Sequence, residues 1–218
     1  MIIAIDGPAG SGKSTTAKML ADKLKFIYLD TGAMYRAVTL YFLTNAIDVK
    51  NLSNIEKSLI KMDLRITFSN NIFRVLLENK DVTNDIRSQK INDSVSNISK
   101  ITCIRERMVE IQRSFSKGED VVVEGRDIGS HVFPDANFKF FLVADILARA
   151  KRRLNEMSDK TSITLEDLIS KLKKRDQIDS NRDISPLIKA DDALEIDTTS
   201  LTINEQVDKL YNIITKNK

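Results

Sequence analysis

The sequence predicts a doubly wound α/β fold, in which helices cover both faces of a parallel sheet. Two observations carry this prediction. Short, almost wholly apolar runs alternate with longer amphipathic stretches along the 218-residue chain, and a glycine-rich loop follows the first apolar run. Strands that are covered on both faces are apolar throughout because neither face meets water. A hydrophobic content of 42% is enough for one main core, and a small second lobe is compatible with this length.

Five short apolar runs predict strands at residues 2–5, 26–29, 121–124, 138–143 and 194–197. Apolar residues that recur every three to four positions predict helices at residues 14–24, 33–44, 88–99, 105–116, 146–157, 164–175 and 204–214. This order of elements is typical of βα units around a parallel sheet.

Residues 63–84 interrupt the alternation. Three apolar stretches are separated by short polar turns, which predicts a small antiparallel three-stranded sheet. The sequence therefore divides into a core of residues 1–62 and 85–218 and an insert of residues 63–84. We expect the insert to lie over the end of the parallel sheet where ligands of open α/β folds bind. The alternative is a purely structural decoration.

The sequence GPAGSGKS at residues 7–14 matches the phosphate-binding pattern G-x-x-x-x-G-K-[ST] between a predicted strand and a predicted helix. Glycines permit a tight turn whose N–H groups face one anion, Lys13 reaches the terminal phosphates, and the Ser14 hydroxyl is a ligand for Mg²⁺. We expect Lys13 to be solvated when no nucleotide is bound. The predicted nucleotide-binding residues are Gly7, Pro8, Ala9, Gly10, Ser11, Gly12, Lys13, Ser14 and Thr15. A plain glycine-rich turn would leave Lys13 unexplained.

Two further motifs follow predicted strands directly. Thr31 and Arg36 come after the second strand, and Arg126 and Asp127 come after the strand at residues 121–124. The carboxyl ends of parallel strands meet at one edge of a sheet, so these side chains are expected on the side of the phosphate loop. The sequence thus predicts a single basic ligand site at that edge.

A fourth motif lies at residues 175–182. Arg175, Asp179 and Arg182 are spaced at i, i+4 and i+7 and share one face if the segment is helical. Taken alone, this group is also explained by a ladder of ion pairs on a solvated surface.

Composition excludes several other classes. The formal net charge is only +3, and no long block of Lys and Arg with interleaved aromatic residues indicates a nucleic-acid surface. No apolar run reaches membrane-spanning length, so we expect a cytoplasmic protein without a membrane partner. Cys103 is the single cysteine and is interpreted as a reduced structural thiol. His131, the single histidine, is interpreted as a structural loop residue.

Together these motifs resemble the bacterial cytidylate kinases, members of the nucleoside monophosphate kinase family. The resemblance spans almost the whole chain, includes residues 86–89, 132–136 and 186–187, and is far more specific than the phosphate loop alone. It implies a P-loop kinase core whose three-stranded insert belongs to the mobile lobe of the acceptor nucleotide. It also implies an ATP- and Mg²⁺-dependent enzyme that converts CMP and dCMP to their diphosphates, acting as a monomer.

The resemblance assigns the acceptor-binding residues in three groups. Arg36 and Arg126 bind the acceptor phosphate, with Thr31 nearby. Ser96, Arg105, Asp127 and Arg182 face the cytosine. Arg175 and Asp179 hold the sugar hydroxyls.

The resemblance also implies a lid at about residues 155–163. Arg149 and Arg153, one helical turn apart, would reach the donor phosphates when the lid closes. The alternative for these two arginines is a solvated helix face. The catalytic residues predicted in this way are Lys13, Arg36, Arg126, Arg149 and Arg153, with Ser14 as the protein's ligand for Mg²⁺.

Two other functions remain open at this point. A kinase of the shikimate or dephospho-coenzyme A type would share the phosphate loop but would need a base to activate a hydroxyl acceptor, and the arginine-rich motifs count against it. A regulatory nucleotide switch that binds guanine would carry an Asn-Lys-x-Asp motif, which this sequence lacks.

Overall fold

The computed structural model describes residues 1–69, 72–156 and 163–217. Within these ranges a parallel sheet is formed by β1 (Ile2–Asp6), β2 (Ile27–Asp30), β6 (Val121–Glu124), β7 (Phe138–Val143) and β8 (Leu194–Asp197). An antiparallel sheet is formed by β3 (Leu64–Ser69), β4 (Ile72–Leu77) and β5 (Lys80–Asp81). The α-helices are α1 (Lys13–Leu24), α2 (Thr31–Thr44), α3 (Leu52–Lys61), α4 (Gln89–Ile98), α5 (Thr102–Phe115), α6 (Ile146–Glu156), α7 (Leu165–Ser180) and α8 (Ile203–Lys216). The predicted fold class is confirmed.

The parallel sheet has the strand order β2-β6-β1-β7-β8. β6 therefore lies between the first two strands of the chain, and Ile5 and Asp30 are both register partners of Glu124. Because the strands are parallel, the segments that follow β1, β2 and β6 leave the sheet side by side. The first three sequence motifs are thereby brought together at one edge.

Side-chain alternation along the central strands builds one core on each face of the sheet. Val122 packs with Ile3 and Ile5 on the face covered by α1 and α8. Val121 and Val123 point to the opposite face, where α2, α3 and α5 contribute the core. All five side chains are fully buried, which explains why these strands carry no polar residue before their last position.

The antiparallel sheet packs against the core on the α2 side through Leu64, Val75 and Leu77. Its third strand is the two-residue β5, Lys80–Asp81. Phe73 on β4 also meets the ring of Tyr28 on β2 edge to face, with ring centroids 5.8 Å apart. The assignment of this sheet to a separate, mobile lobe stays a prediction.

The helix over Leu52–Lys61 was not predicted, and α7 continues past the expected end at residue 175 to Ser180. Two short turns were also missed, a 3₁₀ turn at Asp85–Arg87 and a π-helical turn at Ile128–Val132. Among the helices that the structure describes, none has the length and apolar character needed to span a membrane.

Candidate active site

A cleft of about 770 Å³ opens at the carboxyl edge of the parallel sheet, a size typical of small-molecule sites. The predicted residues that line it are Ala9, Gly10, Gly12, Lys13, Ser14, Thr15, Thr31, Arg36, Ser96, Arg105, Arg126, Asp127, Arg153, Arg175, Asp179 and Arg182. Those that do not line it are Gly7, Pro8, Ser11 and Arg149. No described residue of β3, β4 or β5 lines it.

The phosphate loop connects β1 to α1 through backbone that only glycine accommodates easily. Gly7 has a φ of 144°, and a Cβ there would lie 2.1 Å from the carbonyl oxygen of Leu142. Gly12 has a φ of 92° and precedes α1 without any side-chain cap. The first N–H groups of α1 therefore have no intrahelical partner, and together with the helix dipole they form an anion site.

Lys13 lies folded back over this loop. Its Nζ donates a hydrogen bond to the carbonyl oxygen of Pro8 at 2.7 Å, and the residue is 4% exposed. The expectation of a solvated Lys13 is therefore wrong, because the loop itself encloses the side chain. Burial, followed by the charges of Arg126 and Arg175, lowers the pKa of Lys13 to about 7. An anion in the cleft would reverse this effect by favouring the ammonium form.

Ser14 and Glu124 bring two side-chain oxygens together beside the loop. The Ser14 hydroxyl donates to Oε1 of Glu124 at 2.6 Å, and the Tyr28 hydroxyl lies 3.5 Å from the same oxygen. Burial, with Asp30 adding repulsion, raises the pKa of Glu124. A divalent cation would stabilise the ionised carboxylate. The donor set fits Mg²⁺, which prefers oxygen ligands and takes only one or two from the protein alongside substrate phosphates.

Asp30, the last residue of β2, holds the arginine that follows this strand. Asp30 caps α2 by accepting from the N–H of Ala33 at 2.8 Å, and its carboxylate pairs with Arg36 at 3.0 Å and with Arg87 at 3.5 Å. Thr31 is anchored through its hydroxyl to the backbone carbonyl of Glu124 at 2.8 Å. Arg36 is thus fixed at the start of α2 with its guanidinium at the cleft.

Asp179 forms ion pairs with two further arginines that line the cleft. Its two carboxylate oxygens pair with Arg126 at 2.9 Å and with Arg182, and the residue is 1% exposed. The alternative of a ladder on a solvated surface is therefore wrong. Burial raises the pKa of Asp179, but Arg126, Arg182 and Arg175 together hold it below its ordinary value. α7 ends at Ser180, so Arg182 reaches Asp179 from just beyond the helix.

Arg175 forms no ion pair with a described carboxylate at salt-bridge distance, although the charge of Asp179 partly compensates it. Its Nε is buried without a hydrogen-bond partner, and burial, with repulsion from Arg126, lowers its pKa to about 10. A guanidinium in this state is a strong site for an anion or for hydroxyl oxygens.

Arg105 and Asp127 form a buried ion pair that lines the cleft. An N–H of Arg105 donates to Oδ2 of Asp127, and a second donates to the carbonyl oxygen of Ser99 at 3.1 Å. The guanidinium also lies 5.4 Å from the ring centroid of Tyr35. Arg105 is 1% exposed, so its orientation is fixed before any ligand binds. The wall next to this pair includes Ser96.

The two arginines predicted to reach the donor phosphates are placed differently. Arg149 donates to the carbonyl oxygen of Ala9 at 3.1 Å and pairs with Asp176 at 2.6 Å, so it supports the phosphate loop from behind. Arg153 lines the cleft and pairs with Glu156 at 3.0 Å. Residues 157–162 of the predicted lid lie outside the described residues.

Sequence reasoning missed three side chains at this edge, two acidic and one aromatic. It gave no role to Asp6, Tyr28 or Glu124, although Asp6 and Glu124 end parallel strands as Asp30 does. A rule that every polar residue at the carboxyl end of a parallel strand is a site candidate would have found the two acids. Tyr28 carried no such signal, because only the register of β2 beside β6 places its hydroxyl near Glu124.

The only cysteine and the only histidine of the sequence, Cys103 and His131, do not line the cleft. Cys103 is partly buried against the core, and burial raises the pKa of its thiol. The carbonyl oxygen of His131 accepts from Arg113 at 3.0 Å.

Comparisons with known proteins extend over the whole chain. The family model described as cytidylate kinase matches residues 3–216. The cytidylate kinase of Fusobacterium nucleatum subsp. nucleatum is 47% identical and covers 100% of this chain and 99% of its own length. The cytidylate kinase of Clostridioides difficile is 48% identical, with 98% of each chain covered. A solved shikimate kinase from Bacteroides thetaiotaomicron has a TM-score of 0.51 at 12% identity, covering 99% of this chain and 98% of its own, a likeness of fold alone.

Proposed function

This chain belongs to the cytidylate kinase family and is an ATP-dependent kinase that phosphorylates CMP, and from this premise we propose that its cleft converts CMP and dCMP to CDP and dCDP with the aid of Mg²⁺. The observation that best supports the proposal is the concentration of positive charge in the cleft. Lys13 lines the cleft together with Arg36, Arg87, Arg105, Arg126, Arg153, Arg175 and Arg182. Repulsion from Arg126 adds to burial in lowering the pKa of both Lys13 and Arg175. Such a site favours ligands that bring several negative charges at once.

In this proposal the donor and the acceptor bind on opposite sides of Lys13. The phosphate loop and the first turn of α1 hold the phosphates of ATP, while Arg36 and Arg126 hold the phosphate of CMP. Phosphoryl transfer spreads negative charge over in-line oxygens, so catalysis consists of positioning and neutralisation. The acceptor oxygen is already ionised, and no general base is needed.

The metal would be held by the Ser14 hydroxyl and the Glu124 carboxylate. When bound, Mg²⁺ would neutralise charge on the phosphates of ATP. The described residues contain no group of three or more His, Cys, Asp or Glu side chains able to hold a metal ion by themselves. The remaining ligands would therefore come from the nucleotide and from water.

Base selection is proposed to rest on the Arg105–Asp127 pair, with Ser96 and Arg182 beside it. Cytosine presents an amino donor next to two acceptors, and this pair offers a carboxylate acceptor next to guanidinium donors. Uracil presents an acceptor where cytosine has its amino group, so the carboxylate repels it. Arg175 and Asp179 are proposed to contact the sugar hydroxyls.

The insert of residues 63–84 and the segment at residues 155–163 are proposed to close over the bound nucleotides, with Arg153 reaching the donor phosphates. The contact of Phe73 with Tyr28, whose hydroxyl lies 3.5 Å from Glu124, supports a link between the insert and the site. We further propose that the enzyme is a cytoplasmic monomer.

A coupled assay of ADP release over all nucleoside monophosphates tests the proposed function. CMP and dCMP are expected to give the highest kcat/KM, UMP a lower value, and AMP and GMP only background. Chelation of Mg²⁺ is expected to abolish turnover. Shikimate and dephospho-coenzyme A serve as hydroxyl acceptors, and turnover of either at the rate of CMP would contradict the proposal.

Asp127→Asn is expected to lower kcat/KM for CMP by about 5- to 150-fold, the equivalent of about 1–3 kcal/mol for one base-edge contact. UMP should lose less, because the new amide meets its oxygen with an N–H. The preference for CMP over UMP therefore narrows. Asp192→Asn, which removes the partner of Lys139 outside the cleft, is the matched control. Equal losses for both substrates would mean that Asp127 does not read the base.

A further inference from the structure

Asp6 is the last residue of β1, and the mechanism above gives it no contact with either substrate. Its side chain is buried, with the residue 5% exposed. Oδ1 accepts from the N–H of Ile128 and Oδ2 accepts from the N–H of Gly129, both at 2.8 Å. One carboxylate therefore binds the first two N–H groups of the π-helical turn that starts at Ile128.

These two hydrogen bonds join the two halves of the site. Asp6 directly precedes Gly7, the first residue of the phosphate loop, whereas Ile128 directly follows Arg126 and Asp127. The N–H of Ile128 belongs to the peptide group that joins it to Asp127, so its hydrogen bond to Asp6 restrains the backbone that carries Asp127. A hydrogen bond between backbone groups, from the Gly125 N–H to the carbonyl oxygen of Ile5 at 3.0 Å, also ties the start of this segment to β1.

Burial opposes the ionisation of Asp6, whereas its two hydrogen bonds favour it. Burial raises the pKa of Asp6 to about 7, against the opposing effect of the two backbone hydrogen bonds. An apolar residue at this position would leave the N–H groups of Ile128 and Gly129 without their acceptor, and unpaired buried donors are costly. The carboxylate of Asp6 is therefore tied to this one turn.

We infer that Asp6 is a positioning residue for the acceptor nucleotide: its bidentate hold on the backbone of Ile128 and Gly129 fixes Asp127 and Arg126 where they meet the base and phosphate of CMP. The inference rests on the proposed acceptor site. It predicts that a defect at Asp6 affects the acceptor and leaves the donor largely unaffected, although Asp6 is next to the phosphate loop in sequence.

Asp6→Asn tests this inference, because asparagine keeps the shape but turns an N–H₂ group toward one of the two backbone N–H groups. The KM for CMP is expected to rise about tenfold, as for the loss of one hydrogen bond to a charged group. The KM for ATP should change less than about twofold, and the ratio of kcat/KM for CMP over UMP should fall. Asp6→Ser, which keeps one acceptor oxygen, takes its place in the same assays if Asp6→Asn does not fold.

Two outcomes overturn the inference. A rise in the KM for ATP without one for CMP would mean that Asp6 acts through Lys13 and the phosphate loop. A lower Tm with unchanged CMP kinetics, as expected for Ile3→Ala in the same strand, would mean a structural role only. Amide hydrogen exchange gives a readout besides activity, since exchange at Ile128 and Gly129 should be slow in the wild type and faster in Asp6→Asn. Wild-type turnover of CMP tests the proposed function separately.

Discussion

Replacing Lys13 with alanine is expected to lower kcat for CMP phosphorylation on the order of 10³-fold, the scale of one cation that neutralises the transferring phosphate. The Nζ of Lys13 is held at the phosphate loop by the Pro8 carbonyl oxygen, within reach of phosphates bound there. Lys18→Ala, on an exposed position of the same helix, is the matched control. Near-normal turnover by a correctly folded Lys13→Ala protein would contradict the assignment of the phosphate loop.

The lowered pKa of Lys13 also leads to a prediction about the stability of the protein. Burial, Arg126 and Arg175 lower the pKa of folded Lys13 from 10.5 to about 7, so between these pH values the unfolded chain binds more protons than the folded one. The contribution of Lys13 to the free energy of unfolding therefore rises with pH across this window. Lys13→Met keeps most of the buried stem and removes that rise. Urea denaturation at pH 7 and pH 9 measures the difference, and an identical pH dependence in both proteins would contradict it.

Asp179→Asn is expected to lower the free energy of unfolding at neutral pH by about 3–5 kcal/mol, the cost of breaking a buried ion pair by removing one partner. The substitution leaves the guanidiniums of Arg126, Arg175 and Arg182 close together without the carboxylate that compensates them. Asp167→Asn, at the exposed capping box of the same helix, is the control and should change the free energy of unfolding far less.

The effect of Asp179 depends on pH in a defined direction. Its pKa is lower in the folded protein than in the unfolded chain, so its contribution is complete above the unfolded value of about 3.9 and is lost as the pH falls through the folded value. The difference between wild type and Asp179→Asn is therefore expected to shrink in acid. A difference that stays constant down to pH 2 would mean that the effect does not come from ionisation of Asp179.

The fold was predictable because its main signals are local. β1 and β6 are apolar up to their last residue, and the phosphate loop marks where β1 passes into α1. The helix α3 also carried a local signal that was missed: Leu52, Ile55 and Leu59 recur at helical spacing, and the Asn51 side chain accepts from the N–H of Asn54 at 3.1 Å as an N-cap. The end of α7 at Ser180 was not predictable, because the sequence carries no clear signal that stops a helix there.

Most residues of the site could be predicted from the sequence, but the contacts that each of them makes could not. Spacing places Arg149 and Arg153 on one helix, but only the packing of α6 behind the loop determines that Arg149 meets Ala9 and Asp176 while Arg153 lines the cleft. The burial of Lys13 has the same origin, because it depends on how the loop closes over the side chain. Asp6 was missed because its two partners lie on a segment more than a hundred positions away in the sequence.

The strand order has a consequence for synthesis of the chain on the ribosome. β1 and β2 emerge first, yet they are not neighbours in the sheet, since β6 (Val121–Glu124) fills the gap between them. At a usual elongation rate of about 5–20 residues per second, several seconds pass before β6 is made. During that time the facing edges of β1 and β2 have no strand to pair with, and unpaired strand edges are templates for association with other chains. The nascent chain therefore exposes these two edges until residue 124 leaves the ribosome, and the phosphate loop gains its Glu124 partner only after that point.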